Sequence, residues 1–236
     1  MRWLIPISFC ILLIVGCASH PTINPHLPEA GKTKKGYAFS TENVFPYLWY
    51  RQGISDKSEI GLRLGLPFYG TGIDYSRVLY QKDNKWDMIN LAWSVNPNFN
   101  VDATYYKFKT KIGSDKFVKS RWWGLRGMII SNGITNHASN RIGILFGMQR
   151  NPRWGFEMGY FHDPTSIPIT ELFNPKWDPT AEGVSSRFSD KPMKDKSTGF
   201  PSEYSRLTGM SFSIFFDLDA PKKEKKSRII ISKTKL

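Results

Sequence analysis

Three side chains near the middle of the chain, His137, Ser139 and Asp163, are of the types a hydrolase needs. A serine hydroxyl becomes a nucleophile when a base takes its proton, and a carboxylate then orients that base. On a strand, His137 and Ser139 share one face because side chains alternate with period two. Folding the runs on either side of Pro152 onto one another brings Asp163 near Asn140 with the same parity. The same folding sets Glu157 opposite Phe146, roughly 20 Å from Ser139 at ~3.4 Å per residue. A polar loop entrance also collects His, Ser and Asn for solvation alone, so catalysis is a secondary reading and an enzyme is not expected. No zinc-ligand spacing, Walker loop or dinucleotide fingerprint occurs, and no metal or cofactor is implied. His20 and His26 fall in a polar segment with three prolines and no period, and read as solvated.

Other charged residues stand at regular places inside apolar runs. Glu59-Ile60-Gly61-Leu62-Arg63-Leu64-Gly65-Leu66 alternates an aliphatic face with one of Glu, Gly and Arg. Arg141 to Gln149 and Trp154 to Tyr160 repeat the scheme around Arg141 and Glu157. Such alternation specifies half-buried strands. Weaker versions at 36–44, 47–54, 72–81, 86–94, 100–110 and 120–131, with 210–216, bring the expected count to ten. The stretches SDKS, KDNK, NPNFN, GSD, SNGITN and NPR supply the reversals. One connection, 164–205, is long and carries six prolines. The expected fold is all-β, an antiparallel up-and-down barrel of about ten strands, over 36–217.

Alternation alone does not say which face looks inward. The polar face is rich in glycine, which in strands marks tight curvature or crowded neighbours. It carries Glu59, Arg63, Arg126, Arg141 and Glu157, read here as a charge network across a narrow lumen. The apolar face then meets lipid, with strands of the ~9–11 residues needed to cross obliquely. Tyr80, Trp86, Trp122, Trp123 and Trp154 on one side, with Trp93 and Tyr160 on the other, are expected to form interfacial girdles. The opposite orientation would give a tethered periplasmic barrel holding a hydrophobic ligand, as lipocalins do.

The first residues form a separate unit. Arg2 precedes the apolar run LIPISFCILLIV, and Ile14-Val15-Gly16-Cys17 closes it, the plan of a secretory signal over 1–16. Of the two cysteines only Cys17 survives removal of that segment, so no internal disulfide is expected. Residues 17–35 read as a flexible tether, and 218–236 as a basic tail.

The ending at Cys17 resembles the lipobox of bacterial lipoproteins. That resemblance implies a diacylglycerol thioether on Cys17, acylation of its new amino group, and, with Ala18 rather than Asp after it, the outer membrane. The pattern over 36–217 looks like a small bacterial outer-membrane β-barrel, with long loops outside and short turns inside. His137-Ala138-Ser139-Asn140 resembles the motif of outer-membrane lipid A deacylases, which implies His137 activating Ser139 with a carboxylate completing the set. Phe216 departs from the barrel pattern, being followed by some twenty residues, and Ile229 to Ile231 offer an eleventh strand.

The formal net charge is +13. Residues 32–35, 82–85, 107–119 and 222–235, all on the expected periplasmic rim, hold 17 Lys+Arg against 3 Asp+Glu. Such a rim suits anionic phospholipid headgroups or the cell wall, or simply solvation. Nucleic acid is excluded as a partner by export. The expectation is a lipid-anchored outer-membrane barrel with a structural, adhesive or binding role, surrounded by outer-membrane lipid.

Overall fold

The structure, a computed structural model, describes residues 24–40, 43–65, 71–94, 100–112, 118–130, 139–162 and 210–220. Cys17, His20, His137 and Asp163 lie outside the described residues, and Ser139 is described by its backbone only.

Ten strands succeed one another: β1 Thr33–Ser40, β2 Asn43–Ser55, β3 Ser58–Gly65, β4 Gly72–Lys82, β5 Lys85–Ser94, β6 Asn100–Ile112, β7 Val118–Ile130, β8 Ser139–Asn151, β9 Trp154–His162 and β10 Met210–Asp217. Each pairs antiparallel with the next, and β1 pairs with β10, so the sheet closes into a barrel. Closure leaves no sheet edge exposed. It is completed without residues 229–231, which lie outside the described residues. At the β1–β10 seam Tyr37 stacks on Phe216 with ring centroids 4.7 Å apart.

The two ends of the barrel differ. At one end the strands are joined through 56–57, 83–84, 113–117 and 152–153. There Asp83 adopts a left-handed φ of 52°, a conformation its short polar side chain tolerates. At the other end the connections are 41–42, 66–71, 95–99, 131–138 and 163–209, and the long proline-containing connection is among them. The chain enters and leaves the barrel at the turn end.

The expected orientation holds. Leu62 and Phe212 are 40% and 43% exposed, whereas Arg63 and Glu157 are 1% and 7% exposed. Among the described residues 24 large hydrophobic side chains are exposed, and four arginines and four carboxylates are buried. The barrel's core is thus its lumen, and its coat is aliphatic and aromatic.

One expectation is corrected. Residues 24–35 are not a free tether. β1 already begins at Thr33, and residues 24–32 seat in the turn-end mouth. Asn24, Pro25 and Pro28 are buried, and Leu27 packs against the buried apolar cluster. The Ser120 hydroxyl donates to the Pro25 carbonyl at 2.8 Å, the Gly31 N–H donates to the Gly53 carbonyl at 2.9 Å, and the Gly53 N–H donates to the Lys32 carbonyl at 2.9 Å. Prolines suit this path because an aperiodic plug has no ladder that needs their missing N–H.

Candidate functional site

The lumen is the candidate site, and alternation along each strand builds it. On β3 the odd residues Glu59, Gly61 and Arg63 point inward, and on β2 Arg51 does so beside them. The Arg51 guanidinium bridges two carboxylates, Glu59 at 2.6 Å and Asp74. It also donates to the Ser76 hydroxyl at 3.2 Å. Asn90 from β5 donates to Asp74 at 2.8 Å and to Ser76 at 2.9 Å. Arg63 reaches the far side of Asp74 at 3.9 Å and donates to Ser94 at 3.2 Å.

A second cluster occupies the opposite wall. Arg126 of β7 donates to Thr104 at 2.7 Å and to the Tyr106 hydroxyl at 2.6 Å. It pairs with Glu157 at 3.4 Å and lies 3.9 Å from Asp102. The other oxygen of Glu157 accepts from the Trp122 indole at 2.9 Å. The Phe161 ring lies 5.4 Å from the Arg126 guanidinium carbon, within cation–π range. Arg141 is buried on β8 near the end of the barrel that carries the long connection.

All five residues expected in the network, Glu59, Arg63, Arg126, Arg141 and Glu157, are therefore inside. Reading the sequence missed Arg51, Asp74 and Asp102, although Arg51 shares the parity of Gly53 on β2 and Asp74 that of Gly72 on β4; Asp102 has no glycine or second charge at its parity on β6. The four buried arginines and four buried carboxylates balance in formal charge. Balance matters because an unpaired buried ion costs several kcal/mol, on the order of 3–5 when a partner is removed.

Aromatic rings fill the lumen between β5 and β10. Trp86 stacks on Phe108 with centroids 3.8 Å apart, Phe108 meets Trp122 at 5.7 Å, and Trp122 meets Phe215 at 6.2 Å. Trp86 and Trp122, expected in the interfacial girdle, are thus lumen residues, while Tyr80, Trp93, Trp123 and Trp154 are exposed. Inward glycines make room for this content. A Cβ at Gly147 would overlap the Trp122 indole, and one at Gly61 the Asp74 carboxylate.

The plug completes the site at the turn end. Asn24 donates to Glu59 at 3.3 Å and accepts from Lys34 at 3.3 Å, which ties it to the ionic wall. The gap among Asn24, Leu27, Lys34, Arg51 and Glu59 is about 10 Å³, room for a single water. His26 is partly buried in the plug, not solvated as its segment suggested. Burial and the neighbouring Lys34 charge lower its pKa to about 3, against a hydrogen bond with Gln149 that works the other way.

Of the hydrolase reading, His137 and Asp163 lie outside the described residues, and only the backbone of Ser139 is described. The ladder places Ser139 opposite Ile130. Glu157 lies opposite Gly147, one residue further from Ser139 than expected, and is engaged by Trp122 and Arg126. Among the described residues no cluster of three or more His, Cys, Asp or Glu could hold a metal. Compared with protein-family models, with curated proteins and with solved structures, the chain gives no match.

Proposed function

We propose that the protein is an integral β-barrel of the bacterial outer membrane, anchored in addition by lipid on Cys17. Its role is structural, adhesive or binding, exercised at the end that carries the long connections. One observation carries this reading: charge is inside the closed cylinder and grease is outside. Monomers in water rarely expose apolar patches beyond a few hundred Å². Here the exposed aliphatic and aromatic residues recur on every strand, from Phe39 on β1 to Phe212 on β10. In lipid the same surface costs nothing, and Arg or Lys moved onto it near the midplane costs about 2–4 kcal/mol each.

The lumen supports a binding or structural role rather than transport. Its ionic clusters, stacked rings and plug fill the space a solute would use. A lipocalin-like carrier needs an apolar cavity, and a lumen holding four buried arginines and four buried carboxylates does not offer one.

The test replaces residues 1–17 with an ordinary cleavable secretory leader and asks where the barrel goes. It is expected to remain with the outer membrane through alkaline and urea extraction. Release into the periplasmic fraction would contradict the membrane reading.

A further inference from the structure

The outer face of β5–β8 changes character towards the turn end, where the apolar coat gives way to a row of cations. Resting on the membrane reading above, we infer that this strip binds one anionic glycerophospholipid. Its phosphodiester sits among Lys85, Lys109 and Arg121, and its acyl chains lie along β6 and β7.

The ladder supplies the geometry. Lys85 is opposite Lys109, and Lys109 is opposite Arg121, all three on the exterior of adjacent strands. At ~4.8 Å between strands the row spans roughly 10 Å, within which long basic side chains converge on one phosphate. Like charges directly opposite one another destabilise a sheet, and a bound anion removes that penalty. Among the described residues no carboxylate forms an ion pair with any of the three. Asp87 is the one acid on the described outer face of β5–β8. It is held by the Tyr105 hydroxyl at 2.7 Å and by Lys107 at 3.9 Å.

The cations border an apolar groove. A cavity of about 480 Å³ runs from Lys109 and Arg121 onto Trp123, Phe146 and Met148. One step further along the ladder Trp123 and Phe146 face each other, and beyond them Leu125 faces Ile144. Higher still, Ala103 faces Gly127, and nothing lies within 4 Å of a Cβ built on Gly127. This leaves a shallow trough between the exposed Leu125 and Ile129, continuous in direction with the groove. Cations, then an indole at the headgroup level, then a trough among aliphatics is the order of a phospholipid's own parts. A water-soluble anion would use only the first of the three.

The full chain is reconstituted in phosphatidylcholine vesicles with and without phosphatidylglycerol, and lipid retained on the barrel is counted by native mass spectrometry. Heat-modifiable electrophoretic mobility reports insertion separately. Preferential retention of phosphatidylglycerol is expected. Replacing Lys85, Lys109 and Arg121 by Gln is expected to weaken it about a hundredfold, at roughly fivefold per basic group. Gly127→Leu, whose Cβ has nothing within 4 Å, is expected to weaken retention with the charge unchanged. Should the triple variant fail to insert, Lys109→Gln alone is expected to show the fivefold loss. Equal retention of the two lipids, or of phosphatidylglycerol by wild type and variants, would overturn the site. So would binding of soluble glycerophosphoglycerol as tight as that of the lipid. Absence of insertion in either vesicle would instead defeat the membrane reading on which the site depends.

Discussion

Arg126 illustrates what one side chain does in this lumen. Its guanidinium joins β6, β7 and β9 through Thr104, Tyr106 and Glu157. Arg126→Leu keeps the volume filled but leaves Glu157 and Asp102 buried without their cation. The expected cost is about 3–5 kcal/mol in urea unfolding of the barrel in micelles. Combining it with Glu157→Gln should recover part of that loss, because the second change removes one of the stranded charges. A loss under 1 kcal/mol for Arg126→Leu would mean that the pair is a bystander. Gly147 makes the complementary point about space: Gly147→Val drives a branched side chain into the Trp122 ring. A loss of about 1–3 kcal/mol in the same assay is expected for this overpacking.

At the scale of elements, the segment 24–32 behaves as an eleventh component of the barrel. Its titration offers a handle. The pKa of His26 is about 3 when docked, against an ordinary 6.5, so the neutral imidazole is the form that docks. Docking is fully stable above pH 6.5 and weakens progressively as pH falls from there towards 3. Hydrogen exchange over 24–32, corrected for intrinsic rates, is expected to quicken across that window, and His26→Gln to flatten the response. Exchange that is equally slow at pH 4 and pH 7 in wild type would contradict it. The strands were legible in the sequence for a simple reason. Period-two alternation such as that of 59–66 is local and survives without knowledge of any partner. The plug was not legible. Its polar, proline-containing residues have no period, and what holds them, such as Asn24 on Glu59 or Ser120 on Pro25, spans distant parts of the chain. Trp122 lies between these cases. The parity that puts Arg126 inside requires Trp122 to be inside too, yet the habit of tryptophan at membrane interfaces argued the other way. Within the candidate site, the five charged residues were readable by parity, whereas their pairing waited on the register of strands far apart in sequence.

At the scale of the whole molecule, the described strands form a closed cylinder whose buried arginines and carboxylates are screened from the outside. Because rings and ion pairs occupy the bore and residues 24–32 stop one mouth, the barrel is expected to show no ion conductance in planar bilayers. Steady open-pore steps from the wild-type protein would refute a plugged lumen. The charge layout also gives the cylinder a direction, with basic residues gathered at the turn end and the long connections at the other. All of this depends on which side of the sheet meets lipid, and a spin-label scan along β7 tests that most directly. Nitroxides placed singly at 121 to 129 in the reconstituted protein report collisions with oxygen, which concentrates in lipid, and with a water-soluble nickel chelate. Labels at Trp123, Leu125, Gly127 and Ile129 should collide with oxygen and not with nickel, while those at Trp122, Gly124, Arg126 and Met128 should be shielded from both. High nickel accessibility at Leu125 and Ile129 would place that face in water and contradict the account.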